Sequence, residues 1–177
     1  MQRHRTTRVT ATCALLALLT AALGACGSGT NHRTAESAEL DPATTEVVLH
    51  FHDSSVPPPY HRSYVLTVSD GQVHAVVDSY GDVLHDVTEP VPRAEWVAFL
   101  DGLDDELATM ADPEQSDEAC TGGTSIDFTV NDGSINRVDL EVPNCGSDAN
   151  SRITDRLSAI MEPFAERVDL ATLTTTE

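Results

Sequence analysis

The sequence predicts an α+β domain, an antiparallel sheet of about five strands in the order β-ββ-α-ββ-α with two helices packed on one face. Three observations lead there. Short runs such as Val47–Phe51 alternate apolar and polar residues with the period of a half-buried strand. Pairs of such runs flank Asp-Gly steps, which are strong hairpin signals. Two later stretches place apolar residues three and four apart, as helices lying on a sheet do.

Each element follows from its residues. Val47, Leu49 and Phe51 share one face of the first strand and Val48, His50 and His52 the other. The segment from Asp53 to Pro59 contains Pro57-Pro58-Pro59 and reads as a stiff exposed loop, because proline cannot sit in a sheet interior. Tyr64–Val68 and Val73–Val77 form a hairpin, and a turn at Asp70-Gly71 sets Val68 opposite Val73, Leu66 opposite Ala75 and Tyr64 opposite Val77. Pro92 opens a helix whose stripe is Trp96, Phe99, Leu100, Leu103 and Leu107, ending before Pro113. A second hairpin joins Thr124–Val130 to Ile135–Val142. A three-residue loop, Asn131-Asp132-Gly133, gathers Ile126, Phe128 and Val130 with Val138, Leu140 and Val142 on one face, which a two-residue turn at Asp132-Gly133 does not. The last helix is capped by Asn150 or Ser151, buries Ile153, Leu157, Ile160 and Phe164, and ends or kinks at Pro163. This element order is similar, in topology alone and without a shared motif, to that of small bacterial protease inhibitors of the emfourin type.

The first residues have a different character. Arg3, His4, Arg5 and Arg8 precede an apolar run from Val9 to Leu23, and no acid appears before Glu36. A basic start, a short apolar core and small residues at its end are the parts of an export signal. The run of about fifteen residues is too short for a stable transmembrane anchor, which needs about twenty. Leu23-Gly24-Ala25-Cys26 resembles the lipobox of bacterial lipoproteins. That resemblance implies diacylglycerol attachment at Cys26, cleavage before it, and a lasting tether at the outer face of the bacterial cytoplasmic membrane. The expected division is a signal peptide over 1–25, a flexible tether over 26–44, one domain over 45–168 and a disordered tail over 169–177.

All ten basic residues are arginine, against 29 acids, for a net charge of −19. Without residues 1–25, seven arginines face the same 29 acids, a net −22. So acidic a chain argues against nucleic acid and against anionic lipid headgroups as partners of the protein surface. It is compatible with solubility, with cation-rich surroundings or with a basic partner in the envelope, and a solvated acidic surface is the first reading. Of the four cysteines, Cys13 leaves with the signal and Cys26 takes the lipid. Cys120 and Cys145 then pair by default in an oxidising compartment, as a clasp at the base of the second hairpin. Closing a loop of about 25 residues contributes roughly 3 kcal/mol in the chain-entropy model.

Catalytic motifs are missing from the sequence. There is no nucleophile elbow, Thr121-Gly122-Gly123-Thr124-Ser125 lacks the lysine of a phosphate loop, and no CxxC or calcium loop occurs. A non-catalytic binding or interaction domain with no cofactor is the expectation, with two alternatives. His50, His52 and His74 face outward and can bind zinc or copper, with Asp53 as a further ligand, although such a pair on a strand arises cheaply by chance. Pro57, Pro58, Pro59 and Tyr60 form a preorganised loop suited to docking a partner or inhibiting a protease.

Overall fold

A computed structural model describes residues 32–33, 39–114 and 122–176. The signal segment, Cys26 and Cys120 lie outside the described residues. In chain order the elements are β1 (His32–Arg33), β2 (Thr45–His52), a 3-10 turn (Pro58–Tyr60), β3 (Ser63–Ser69), β4 (Gln72–Ser79), β5 (Asp82–Pro90), α1 (Arg93–Ala108), β6 (Thr124–Asp132), β7 (Ile135–Asn144), α2 (Asp148–Arg167) and α3 (Leu170–Leu173).

The fold is α+β, with an antiparallel sheet and two main helices. Six strands of seven to ten residues form the sheet. The two-residue β1 adds to one edge, giving the order β1-β7-β6-β2-β3-β4-β5. The long strand not read from the sequence is β5. Its residues are exposed on both faces except Val87, so no alternation of apolar side chains marks it. It is recruited by pairing along the whole of β4.

Alternation does place the core. Val47 and Leu49 of β2, Leu66 and Val68 of β3, and Val73, Ala75 and Val77 of β4 are buried on one face of the sheet, with Ile126, Phe128 and Val130 of β6 and Val138, Leu140 and Val142 of β7. Trp96, Leu100, Leu103 and Leu107 of α1 and Ile153, Leu157, Met161 and Phe164 of α2 join the same cluster. The opposite, outer face carries Val48, His50, His52, His74, Asp78 and Asp127, all half-buried.

The first hairpin has the expected register, with Val68 opposite Val73, Leu66 opposite Ala75 and Tyr64 opposite Val77. The second differs. Asn131 and Asp132 belong to β6, Asp132 pairs with Ile135 around Gly133-Ser134, and a bulge follows between Val130 and Asn131. The bulge inserts one residue and so restores the parity that keeps Val130, Phe128 and Ile126 opposite Val138, Leu140 and Val142. Asp132 has its own reason to sit in the strand. Its carboxylate accepts from Thr44 Oγ1 at 2.6 Å and Arg137 Nη2 at 3.3 Å, which ties the entry of β2 to this turn. The Thr44 hydrogen bond, joined by Arg137, holds the Asp132 carboxyl below the usual carboxylate range.

Three boundaries also move. Helix α2 starts before the expected caps: Ser147 is the cap, its Oγ accepting from Asn150 N. Asn150 is instead buried, its amide donating to Pro143 O at 2.8 Å and Glu114 O at 2.9 Å. The helix runs through Pro163, which is exposed, because Phe164 and Val168 beyond it are buried and packing outweighs one missing N–H bond. The stretch 169–177, expected as a disordered tail, carries α3 with Leu170 buried. At the other end, β1 pairs with β7 and Leu40 is buried, so contacts with the domain begin within 26–44.

Trp96 is fully buried between Phe99 and Phe164, and its Nε1 donates to Pro42 O at 2.9 Å. Trp96→Ala is expected to destabilise the domain by about 3–5 kcal/mol in urea unfolding followed by far-UV circular dichroism. A loss under 1 kcal/mol would mean that the aromatic cluster is not central to the core.

Candidate functional site

Two features stand out, both toward the end of the sheet where β2 finishes and β3 begins. The first lies on the outer face. The strand period of two sets His50 and His52 side by side on β2. Register with the neighbouring strand then supplies a carboxylate, because Asp127 of β6 is the direct partner of His50. The His52 Nε2 atom is 2.8 Å from Asp127 Oδ2, and the two imidazole centroids are 3.8 Å apart. One ligand atom from each of the three residues lies within 4.8 Å of the others, and no other group of three such donors occurs among the described residues.

Electrostatics favour the uncharged imidazole at His50. Partial burial lowers its pKa from the ordinary 6.5, and His52 beside it lowers it further, while Asp127 and Asp78 act in the opposite sense. The neutral ring, with a lone pair available, is the form that ligates a metal.

The other sequence candidates are elsewhere. His74 faces outward on β4 but pairs with Asp86 of β5, Nε2 to Oδ1 at 2.8 Å, with β3 between it and β2. Asp53 is no third ligand, since its carboxylate accepts from the backbone N–H groups of Ser54 at 2.7 Å and Arg62 at 2.8 Å. Those bonds close the loop that follows β2. Asp127 was missed because nothing local reveals that β6 lies beside β2.

The second feature is that loop. Pro57, Pro58, Pro59 and Tyr60 are all exposed, as expected. Its backbone is held from below. Ser79 Oγ donates to Pro58 O at 2.9 Å, Tyr80 donates its hydroxyl to Val56 O, and the Tyr80 ring stacks on the buried His61 at 3.9 Å. Tyr80 and Gly81 make the turn from β4 to β5 with φ of 54° and 90°. Such turns favour Asn-Gly, and a bulky residue at positive φ is strained, so Tyr80 occupies the position for what its side chain does. Tyr60 and Tyr80 are more than half exposed, as is Val83 on β5, and Leu84 adds to them. Among the described residues, four of the five exposed large hydrophobics therefore lie by this loop and turn; the fifth, Ile135, is at the opposite end of the sheet.

No family model, curated protein or solved structure matches the chain. Among the described residues no helix is long and apolar enough to cross a membrane.

The depressed His50 pKa has a consequence for stability. As pH falls below 6.5 the unfolded chain takes up this proton before the folded one, so stability falls until the folded-state value is passed. The His50 Hε1 resonance is expected to titrate with a midpoint below 6.5, moving upward in His52→Ala. A midpoint at or above 6.5 in the unsubstituted protein would remove this account of the pair.

Proposed function

We propose that this chain is a lipoprotein of the bacterial envelope, held by lipid on Cys26 at the outer face of the cytoplasmic membrane. Its domain is a non-catalytic docking module that binds a basic envelope protein through the proline and tyrosine corner. The anchor rests on the lipobox resemblance of Leu23-Gly24-Ala25-Cys26. The observation that carries the docking reading is the clamped loop: a prolyl segment fixed by Asp53, Ser79 and Tyr80, with exposed aromatic and aliphatic side chains around it. A surface already ordered before binding loses little conformational entropy on association. Net charge of −19 favours a partner with a basic patch, by electrostatic complementarity.

A clasp between Cys120 and Cys145 belongs to the same proposal. Cys145 follows Asn144, which pairs with Thr124 at the open end of the second hairpin. The protease-inhibitor alternative is less favoured. An inhibitory loop that mimics substrate needs carbonyls free to pair with the protease, and those of Val56 and Pro58 are already engaged.

Cys26→Ala is expected to leave the chain uncleaved and without lipid, seen as a slower band without radiolabelled acyl chains. Normal cleavage in that variant would overturn the anchor. For docking, a photoreactive phenylalanine analogue replaces Tyr60 in the full chain in intact membranes. One discrete adduct is expected, weakened by salt and lost when Tyr80→Asn releases the loop while retaining a turn-compatible residue. No adduct, or the same adduct from a probe at Ile135, would sink the docking reading.

A further inference from the structure

We propose that His50, His52 and Asp127 form a binding site for a divalent transition-metal ion of the zinc and copper class on the outer face of the sheet. The inference is independent of the docking corner, since none of the three residues takes part in it. Their convergence is the starting point. Three potential ligand atoms lie within 4.8 Å of one another on two backbones fixed by eight consecutive pairs between β2 and β6. Tetrahedral zinc bound at about 2.0–2.1 Å keeps its ligand atoms roughly 3.4 Å apart. The cluster reaches that arrangement by small side-chain rotations, with the 2.8 Å contact between His52 and Asp127 opening to admit the ion.

The donor set selects the class of ion. Two imidazole nitrogens and one carboxylate oxygen suit zinc and copper, whereas calcium and magnesium take oxygen ligands. The contrast within the molecule is informative. His74 and Asp86 make the same 2.8 Å contact, but among the described residues no third donor joins them. At the cluster, a hydrogen bond to Asp127 accounts for His52 alone and leaves the second ring, packed 3.8 Å away, without that role. An ion engages all three. It also relieves the juxtaposition of the rings, since both nitrogens then face one positive charge.

Three protein ligands leave at least one coordination position for water or an exogenous ligand. The His52 and Asp127 side chains are 40% and 41% exposed, so that position opens to solvent. This describes a site that takes up and exchanges metal, in contrast to the closed, four-ligand sites that hold folds together. Asp78 adds a further negative charge near His50, which favours the cation.

The test is zinc titration of the full-length chain in detergent micelles against a chromophoric competitor. One ion per chain is expected, with micromolar or tighter affinity. His50→Gln, His52→Gln and Asp127→Asn should each weaken binding at least tenfold, while His74→Gln leaves it unchanged. Circular dichroism melts establish that each variant is folded. Cobalt substitution gives a second readout: the intense visible bands of a four-coordinate ion in the unsubstituted protein, lost in the histidine variants. Absence of stoichiometric zinc, or equal affinity in His50→Gln and the unsubstituted chain, overturns the proposal. Because the cross-linking at Tyr60 can be repeated in chelator, failure here and failure of the docking reading are separate results.

Discussion

The pairing of β2 with β6 is the constraint on which the structure depends. β2 is the first long strand of the domain, yet it lies in the middle of the sheet, with β3 on one side and β6 on the other. The β3 contact closes through a ten-residue loop, but β6 is reached only after two more strands and α1 have formed. Its eight pairs, from Thr45 with Asp132 to His52 with Ser125, join the two hairpin systems into one sheet. Without them, each half would present only part of an apolar face to the helices. With them, Val47 and Leu49 continue directly into Val130 and Phe128, and one uninterrupted layer receives both α1 and α2.

That constraint separates what was legible in the sequence from what was not. Period-two alternation marked β2, β3, β4, β6 and β7, because each has one face in the core. The stripe of α1 was equally plain, and the turn at Asp70-Gly71 set the first hairpin. β5 escaped because, among the described residues, β4 is its one strand partner and only Val87 is partly buried, so burial hardly shaped its residues. In the second hairpin the apolar face was read correctly and the turn was not. Parity is imposed by the core, whereas the location of a bulge depends on Thr44 and Arg137 holding Asp132 in the strand. Similarly, the end of α2 is decided by the burial of Phe164 and Val168, which overrides Pro163.

The histidine cluster divides along the same line. His50 and His52 share a face through local geometry, and the sequence shows as much. The carboxylate that completes the group comes from a residue 75 positions away in the chain, through a pairing that no local pattern encodes. His74 faces the same side by the same local rule and is excluded by topology, since β3 intervenes. Strand order, and not residue spacing, thus decides which of several outward histidines converge.

Strand order also bears on how the corner is presented. β1 enters at one edge of the sheet, and β5, with the turn at Tyr80, forms the other. At about 4.8 Å per strand, six spacings separate these edges by roughly 29 Å. With the anchor proposed at Cys26, the six residue steps to His32 span at most about 22 Å. Chain attached through β1 would then restrain the β7 side of the domain near the lipid, while the turn at Tyr80, which clamps the proline loop leaving β2, lies toward the other side of the sheet. A docking surface for an envelope protein gains from that placement, because the tether and the partner do not compete for the same edge. At this edge the acids of β5, Asp82, Asp86 and Glu89, discourage edge-to-edge pairing, while Val83 and Leu84 stay exposed beside the clamped loop.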